Sequence, residues 1–391
     1  MRDYVVLRDL SSPSVAGPFE AGIAVIDEMP TEPRVDVEAL DKEDVRDTAR
    51  DPQVRAIAEV MPTRLVEPVE AGDAEASATM AWGISAVGAD TSARSGAGVV
   101  VAVLDTGIDA DHAAFTGVTL VENNFTDSAG GDANGHGTHC AGTIFGRDVD
   151  GTRIGVAPGV GTALIGKVLG DDGRGNSAWM FDGLQWAVQQ GAHVVSISIE
   201  LDFPNFVRRA VEENGLPADL ATSRALEAYR ANLRMFDALM EMIRSREAFG
   251  AGTMVVGAAG NGSRRDTNPE HEIGVALPAA ADGVLSVAAL GQSPDGLRIA
   301  PFSNTFAQIS APGVDILSAK SGGGLRSLNG TSMACPHVAG VVALWREEVV
   351  GSPLPANTAT VTAKVLATAS TDGLAADADP ADRGVGLVKS P

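Results

Sequence analysis

From Gly96 onward, the chain repeats one pattern, in which a continuous apolar run of strand length is followed by a helical stretch. The runs are GVVVAVLD, TALIGKVL, HVVSISIE, TMVVGAAG and GVLSVAAL, and the stretches between them include SAWMFDGLQWAVQQG. Strands that are apolar along their whole length are typical of a parallel sheet whose two faces are both covered by helices. The pattern therefore predicts an α/β sandwich of three layers around a mostly parallel central sheet.

The first part of the chain follows a different pattern. Residues 1–70 contain the short strand candidates YVVLRD, AGIAVID and RVDVEAL and the partly helical stretch DKEDVRDTARDPQVRAIAEV, which together predict a small α+β module. Residues 71–81, in a small and acidic stretch without periodicity, are predicted to be a linker. A second, larger domain is expected over residues 82–391.

A long helical segment, residues 204–249, separates two of the apolar runs. Its large apolar residues recur every three or four positions and predict one buried helix face: Leu226, Tyr229, Leu233, Phe236, Met240 and Ile243. We expect this face to pack against the sheet. The alternative is that the segment narrows or gates a substrate cleft.

Composition excludes several classes of function. The chain has 51 acidic and 29 basic residues and a formal charge of −22, with no basic stripe, so nucleic acid is not an expected partner. No apolar run reaches the length of a membrane helix. The start MRDYVVLRDLSSPSVAG lacks the pattern of a secretory signal, and a cytoplasmic location is expected. The two cysteines, Cys140 and Cys335, are too few for a disulfide framework and are expected to be buried free thiols.

Three short motifs carry residues suited to nucleophilic catalysis. Asp105 ends the strand candidate in VAVLDTGID, His136 opens the small-residue helix in NGHGTHCAGT, and Ser332 opens an apolar helix in GTSMACPHVAG. A serine hydroxyl becomes a strong nucleophile when a histidine takes its proton and an acid orients that histidine. A helix start also offers free N–H groups that stabilise negative charge. The motifs therefore predict an acid, base and nucleophile in the chain order Asp, His, Ser.

VAVLDTGID, GHGTHCAGT and GTSMACPHVAG resemble the three signature segments of the subtilisin-like serine proteases. The resemblance covers about residues 82–391, from WGISAVGA to RGVGLV. It implies a serine endopeptidase that works through an acyl-enzyme, with Ser332 as the nucleophile, His136 as the general base and Asp105 as the residue that orients it. GAAGNGS is similar to the family segment that supplies the oxyanion-hole amide, which implies that role for Asn261.

The same resemblance implies a cleft for an extended peptide substrate. GDDGRGNSAW and SISIE are similar to the two walls of the family's cleft, and GAAG to one side of its primary specificity pocket. The implied substrate-binding residues are Gly173, Arg174, Gly175, Ser198, Ile199, Ala258, Ala259 and Gly260. Pro278 is expected near the base of the pocket, after a cis peptide bond.

Two features that bear on the cleft depart from the family's usual pattern. Glu200 stands where a glycine is usual, just beyond one cleft wall. It is expected either to favour basic or small substrate residues near the scissile bond or to point into solvent. The segment 204–249 is also longer than the family's usual connection.

No cofactor and no metal are expected to be required. Ala114 stands where many relatives carry a calcium-binding Asp. Asp148 and Asp150 could supply oxygen ligands to a structural calcium, but a short acidic turn of this kind is more often only solvated. His136 and His139 have the spacing of metal ligands, but a zinc site needs three or four ligands. We therefore expect His139 to be structural.

Residues 1–70 resemble the inhibitory prodomain that precedes such catalytic domains, and DPQVRAIAEVMPTRLVEP is similar to its end, which lies across the cleft. The implied enzyme is a zymogen with its own N-terminal module as intramolecular inhibitor. The alternative is a permanent N-terminal domain. Two rival functions remain at this point, a peptide ligase or macrocyclase on the same triad, and a catalytically silent relative that binds peptides.

Overall fold

The computed structural model describes residues 1–10, 33–68, 79–249 and 252–391. In chain order the strands are β1 (Arg2–Asp9), β2 (Pro33–Leu40), β3 (Val54–Glu59), β4 (Pro62–Leu65), β5 (Val100–Asp105), β6 (Thr119–Asn124), β7 (Thr162–Lys167), β8 (Arg174–Asn176), β9 (Val194–Ile197), β10 (Ile199–Leu201), β11 (Met254–Ala258), β12 (Val284–Ser293), β13 (Gly296–Ile299), β14 (Ile309–Pro312), β15 (Ile316–Ala319) and β16 (Leu325–Leu328). The helices are α1 (Lys42–Thr48), α2 (Trp82–Ala86), α3 (His136–Phe145), α4 (Ser177–Gln189), α5 (Phe203–Glu212), α6 (Ala218–Ser245), α7 (Thr331–Val350), α8 (Thr358–Thr368) and α9 (Pro380–Arg383). Short 3₁₀ helices cover Ala113–Phe115 and Arg246–Phe249.

The central sheet has eight strands in the order β13-β12-β11-β9-β5-β7-β6, with β14 beside β12. Its pairs are parallel except β12–β13, which form an antiparallel hairpin. Each of the five apolar runs contains one of its strands, because a strand buried on both faces needs apolar residues at every position. The prediction of a mostly parallel α/β sheet is confirmed.

Helices cover both faces of this sheet. On one face, α3 and α7 share an apolar cluster with the strands, and all ten residues of α3 are buried. On the other face, α4 and α6 form a second cluster, in which the rings of Phe181 and Phe236 lie 4.4 Å apart. No helix among the described residues is long and apolar enough to cross a bilayer. The sheet and its two helical layers form the expected three-layer sandwich.

The N-terminal strands form a separate antiparallel sheet in the order β2-β1-β3. Val5 and Leu7 on β1 and Ala58 on β3 pack into the same apolar cluster as α4 and α6. The strand candidate AGIAVID and most of the predicted linker 71–81 lie outside the described residues. The division into an N-terminal module, a linker and a catalytic domain stays a prediction.

The segment 204–249 contains most of α5 and all of α6, and its buried face differs from the predicted stripe. Leu226 is 49% exposed, so its assignment to that face is wrong. The buried side instead includes the smaller residues Ala225, Ala228 and Asn232. The first half of α6 lies against β3 of the N-terminal sheet, where small side chains allow a close approach. Phe236, Met240 and Ile243 are buried as predicted.

Candidate active site

Asp105 and His136 form a buried pair at the carboxyl end of β5, an interior strand of the central sheet. Asp105 is the last residue of β5 and His136 the first of α3, and both side chains are 2% exposed. His136 Nδ1 lies 2.8 Å from Asp105 Oδ1. An aspartate on Nδ1 places the acceptor nitrogen at Nε2, on the opposite side of the ring. The proton acceptor of the His136 ring is therefore on the side opposite Asp105.

A second buried carboxylate holds the start of α3. The Asp132 side chain accepts hydrogen bonds from Thr106 Oγ1 at 2.8 Å, from Gly135 N at 2.8 Å, and from Thr138 N and Oγ1 at 2.8 and 2.7 Å. Thr106 Oγ1 in turn accepts from Gly137 N at 3.0 Å. Helix starts leave backbone N–H groups without intrahelical partners. Asp132 and Thr106 satisfy several of them and so connect the residue after Asp105 to the helix that carries His136.

Ser332 lies in the first turn of α7, with the residue fully buried. Pro336 follows four positions later within the helix. Proline has no backbone N–H, so the Ser332 carbonyl has no such donor one turn ahead. The Cys140 thiol on α3 donates to this carbonyl at 3.4 Å. The contact joins the two helices that carry His136 and Ser332.

Asn261 follows β11, and its amide is oriented by the residue before Ser332. Thr331 donates to Asn261 Oδ1 from both its backbone N and its Oγ1, each at 2.9 Å. The carbonyl end of the amide is therefore occupied, and the Nδ2 end points the other way. Nδ2 donates to the backbone carbonyl of Glu67 at 2.8 Å. Asn261 is a donor held by α7 and directed at a carbonyl of the N-terminal segment.

Strand β4 of that segment lies between β8 and β10 as the middle strand of a small antiparallel sheet. The Leu65 N–H donates to the Gly173 carbonyl at 2.8 Å, and the Val66 N–H to the Ser198 carbonyl at 3.3 Å. The structure thereby places the predicted wall residues on the two sides of one extended segment. Gly175 lies opposite Thr63 and Ile199 opposite Leu65, while Arg174 lies opposite Arg64.

The segment ends at the nucleophile. Ser332 Oγ donates to the Val66 carbonyl oxygen at 3.0 Å. Within the part of the chain that the structure describes, this carbonyl is the hydroxyl's partner in place of His136. The next carbonyl, that of Glu67, is the one on Asn261. The bond between Val66 and Glu67 therefore lies at Ser332.

Glu200 turns towards this segment. Its Oε1 is 2.7 Å from Arg64 Nε and 2.6 Å from Arg64 Nη2, and Arg64 Nη1 lies 3.8 Å from Asp202 Oδ1. The Glu200 side chain is 12% exposed, which excludes the expectation that it points into solvent. Burial raises the pKa of Glu200, with the charge of Arg64 acting in the opposite direction.

Comparison with known proteins identifies the family of this chain. A model of the subtilase family matches residues 96–386, a range that contains Asp105, His136, Asn261 and Ser332. The chain belongs to the subtilase family. It is 30% identical to the thermostable alkaline protease of Halalkalibacterium halodurans over 88% of this chain and 81% of that protein. It is 33% identical to the major intracellular serine protease of Bacillus subtilis over 64% of this chain and 68% of that protein. It is also 33% identical to subtilisin DY of Bacillus licheniformis over 68% of this chain and 84% of that protein.

The chain is accordingly a subtilisin-like serine endopeptidase. The resemblance stated from the three sequence motifs is confirmed at the level of the family and its activity. The roles of individual residues remain assignments by position and geometry.

The predicted specificity-pocket residues of this subtilase lie at the end of β11. Ala258 packs in the main apolar cluster, and Ala259 packs with Ala288 in a smaller one. Gly260 borders the Glu200 carboxylate, since a Cβ on Gly260 would lie 3.2 Å from Glu200 Oε2. Their role in the pocket stays a prediction. The peptide bond before Pro278 is cis, as the resemblance implied.

The subtilase site also contains groups that resemble metal ligands. Among the described residues, the one cluster of such groups is Asp105, His136 and Cys140, all buried. Burial raises the pKa of the Cys140 thiol well above its usual value, which disfavours the thiolate that binds metals. His139 lies behind the site, with Nε2 3.0 Å from the Ile316 carbonyl. Burial lowers the pKa of His139 to about 3, so this ring is neutral at ordinary pH.

Two positioning groups were missed by sequence reasoning. Thr331 orients the Asn261 amide and Asp132 holds the start of α3. Asp132 stands four residues before His136 in a glycine-rich stretch, where a solvated turn is the ordinary interpretation. The role of Thr331 has no spacing rule, because its contact with Asn261 joins residues 70 positions apart. Asp132 accepts from the N–H of Gly135 three residues on, a spacing typical of acceptors at helix starts, which is the signal that could have found it.

Proposed function

We propose that this subtilase hydrolyses peptide bonds through an acyl-enzyme on Ser332, with His136 as the general base and Asp105 as its orienting acid. The observation that carries the proposal is the buried contact of 2.8 Å between His136 Nδ1 and Asp105 Oδ1, beside the first turn of α7 that contains Ser332. An aspartate in this position selects the tautomer that accepts a proton at Nε2 and stabilises the imidazolium that forms.

In the proposed reaction, Ser332 Oγ attacks the carbonyl carbon of an extended peptide, and its proton passes to His136 Nε2. The oxygen of the tetrahedral intermediate is stabilised by Asn261 Nδ2 and by the backbone N–H of Ser332, which lacks an intrahelical partner in the first turn. The imidazolium then gives its proton to the leaving amine. Water attacks the acyl-enzyme with His136 again as the base, which restores Ser332 and releases the acid.

The chain's own N-terminal segment is proposed to inhibit the enzyme. Residues 62–67 occupy the cleft in the extended form expected of a substrate, paired with both walls. The Val66 carbonyl oxygen accepts the Ser332 hydroxyl, while Asn261 binds the Glu67 carbonyl one residue further on. The Ser332 hydroxyl therefore donates a hydrogen bond to the carbonyl oxygen of the peptide group that it would attack. The proposed oxyanion donor, Asn261 Nδ2, is bound to the next carbonyl and not to this one. This seating supports an unreactive, self-inhibited form.

No cofactor is part of the proposal, because the acid, base, nucleophile and oxyanion donor are all supplied by the chain. Asp148 and Asp150 lie exposed on a turn and Ala114 is fully buried. We therefore assign no catalytic role to calcium. The relatives reported above carry protease names, which gives no support to a ligase or macrocyclase.

The test follows the full-length protein by intact mass and by reaction with a fluorophosphonate probe. We expect the wild type to take up one probe at Ser332 and to lose an N-terminal piece that ends between Val66 and Trp82. Ser332→Ala should do neither. Ser293→Ala, which removes a hydroxyl in the distant β12–β13 hairpin, should behave as the wild type. A wild-type protein that neither reacts with the probe nor cleaves any peptide would favour the silent relative.

A further inference from the structure

Strand β4, which lies in the cleft of this subtilase, contacts two buried acidic residues, Glu200 and Asp202, at a defined position along the strand. Glu200 lies directly opposite Arg64 in the β4–β10 pair, and residues opposite one another in an antiparallel pair have side chains on the same face. Val66, whose carbonyl accepts the Ser332 hydroxyl, is two residues further on. Arg64 is therefore the third residue on the amino side of the bond presented to Ser332.

Both acidic groups are held in place by the fold of the predicted catalytic domain, residues 82–391, which is called the catalytic region from here on. Asp202 is the N-cap of α5 and accepts the Asn205 N–H at 3.2 Å. Glu200 lies within β10, and its second oxygen is 3.2 Å from the position that a Cβ on Gly260 would take. The side chains of Glu200 and Asp202 are 12% and 14% exposed. Both carboxylates belong to residues outside the N-terminal segment, so they are still present when another peptide strand occupies the cleft.

The charges near Arg64 differ in burial, which determines how strongly each one interacts with a substrate side chain at this position. The same groove is bordered by Arg174 and Arg208, whose residues are exposed and whose charges are screened by solvent. The Glu200 carboxylate is largely removed from water, and a buried carboxylate without a cation is costly. A cation on the incoming strand offsets that cost through charge-assisted hydrogen bonds.

We propose that Glu200, with Asp202 beside it, forms an acidic subsite that selects arginine or lysine at the third residue on the amino side of the bond cleaved in peptide substrates. The inference rests on the proposed function, since it assigns the register of substrates from that of β4. Arg64 of the N-terminal segment uses the same subsite within the chain. Glu200 is thus a specificity-determining residue of the same cleft.

The test uses the full-length protein, incubated until its peptidase activity is constant, with active sites counted by fluorophosphonate titration. Internally quenched peptides differ only at the third residue before the cleaved bond, which is arginine, lysine, citrulline or glutamate. Citrulline keeps the shape of arginine and removes its charge. We expect kcat/KM for the arginine peptide to exceed that for citrulline about tenfold, the size of hydrogen bonds to a charged group, with most of the difference in KM.

Three variants locate the effect. In Glu200→Gln, the ratio between the arginine and citrulline peptides should fall to within about twofold of one, because the charged acceptor is lost. Asp202→Asn keeps a residue suited to capping α5 and should lower the ratio by a smaller factor, which provides a second measurement if Glu200→Gln does not fold. Asp295→Asn removes the same charge from the exposed β12–β13 hairpin and should keep the wild-type ratio.

The outcomes separate the two proposals. Equal rates for arginine and citrulline in the wild type, or an unchanged ratio in Glu200→Gln, would overturn the acidic subsite while leaving the peptidase intact. Such a result would confine the contact between Glu200 and Arg64 to the chain's own N-terminal segment. Absence of both probe uptake and cleavage of every peptide would instead overturn the proposed function.

Discussion

The residues around Ser332 and the N-terminal segment that lies against it differ in where their stabilising contacts come from. Asp105, His136, Asn261 and Ser332 have positioning partners within the catalytic region itself, such as Thr331 on the Asn261 amide. The N-terminal strands depend on partners from that region. The carboxylate of Glu59 on β3 pairs with Arg224 and its carbonyl with Asn232 Nδ2, both on α6.

The same dependence continues along the N-terminal segment. The Met61 backbone makes two hydrogen bonds with Ser177: the Met61 N–H donates to Ser177 Oγ at 3.0 Å, and the Ser177 N–H donates to the Met61 carbonyl at 2.8 Å. Gln185 on α4 accepts the Val35 N–H at 2.8 Å. The proposed catalytic residues are thus positioned by contacts within the catalytic region. The occupancy of the cleft depends instead on contacts between that region and the N-terminal strands. Changes in the first should lower reactivity, and changes in the second should raise it.

The largest expected effect is a loss inside the catalytic region. Asn261→Ala should lower kcat on a peptide substrate by about 10²–10³-fold, the size known in this enzyme family for loss of one oxyanion donor. Stopped or continuous peptide assays at saturating substrate measure it. Asn268→Ala in the neighbouring loop is the matched control and should keep the wild-type kcat. A normal kcat in Asn261→Ala would remove this amide from the proposed mechanism.

The next effect has the opposite sign and comes from the N-terminal segment. Met61 is fully buried, and Met61→Asp would bury an unpaired carboxylate at a cost of several kcal/mol. We expect β4 to leave the cleft and the probe to react with Ser332 about 100-fold faster. Met61→Leu keeps the apolar volume and should react as the wild type does. A loss of reactivity together with unfolding of the whole protein would show that the two regions are not separable.

A smaller increase should follow from weaker docking on α6. Arg224→Ala removes the more buried of the two arginines that pair with Glu59 and leaves the half-exposed Arg2 as its partner. Because the Glu59 side chain is 12% exposed, we expect this loss to speed the reaction of Ser332 with the probe about tenfold. Arg209→Ala removes one member of an exposed pair with Glu213 on α5 and should have little effect. The two rates show whether the contact between Arg224 and Glu59, which joins α6 to β3, holds the N-terminal sheet, or whether loss of any arginine from this surface has the same effect.

The smallest expected effect is a loss of folding stability at mildly acidic pH, through a histidine of the catalytic region. Burial lowers the pKa of His337 on α7 from 6.5 to about 4. Between these values the unfolded chain binds a proton that the folded protein does not, so this contribution to stability is present above pH 6.5 and is lost as the pH falls towards 4. From pH 7 to 6 the expected loss is about 0.7 kcal/mol.

Urea titrations at the two pH values, on the wild type and His337→Gln, measure this loss. The variant should lose less stability than the wild type on the same change of pH. Residues 1–81 contain no histidine, so such acid sensitivity is expected for the catalytic region and not for the N-terminal strands. Equal losses in both proteins would assign the acid sensitivity to other groups.

Local sequence was sufficient for the central sheet and for the motifs at its edge. Continuous apolar runs become buried strands whatever their neighbours are, and Asp105, His136 and Ser332 each stand next to the end of such a strand or the start of a helix. The buried face of α6 was only partly predicted. Leu226 is exposed because its part of the helix packs against β3 through Ala225 and Ala228, and a hydrophobic stripe does not specify that partner.

The amino-acid sequence by itself determined the α/β class, the subtilase family and the residues able to supply an acid, a base and a nucleophile, because these follow from local pattern and residue chemistry. The cytoplasmic location and the limits of the N-terminal module stay predictions. Tertiary structure alone decided that Val66 meets Ser332, that Thr331 orients Asn261 and that Glu200 turns towards Arg64. Each of these contacts joins segments distant in the chain, and their distances and burial are set by packing.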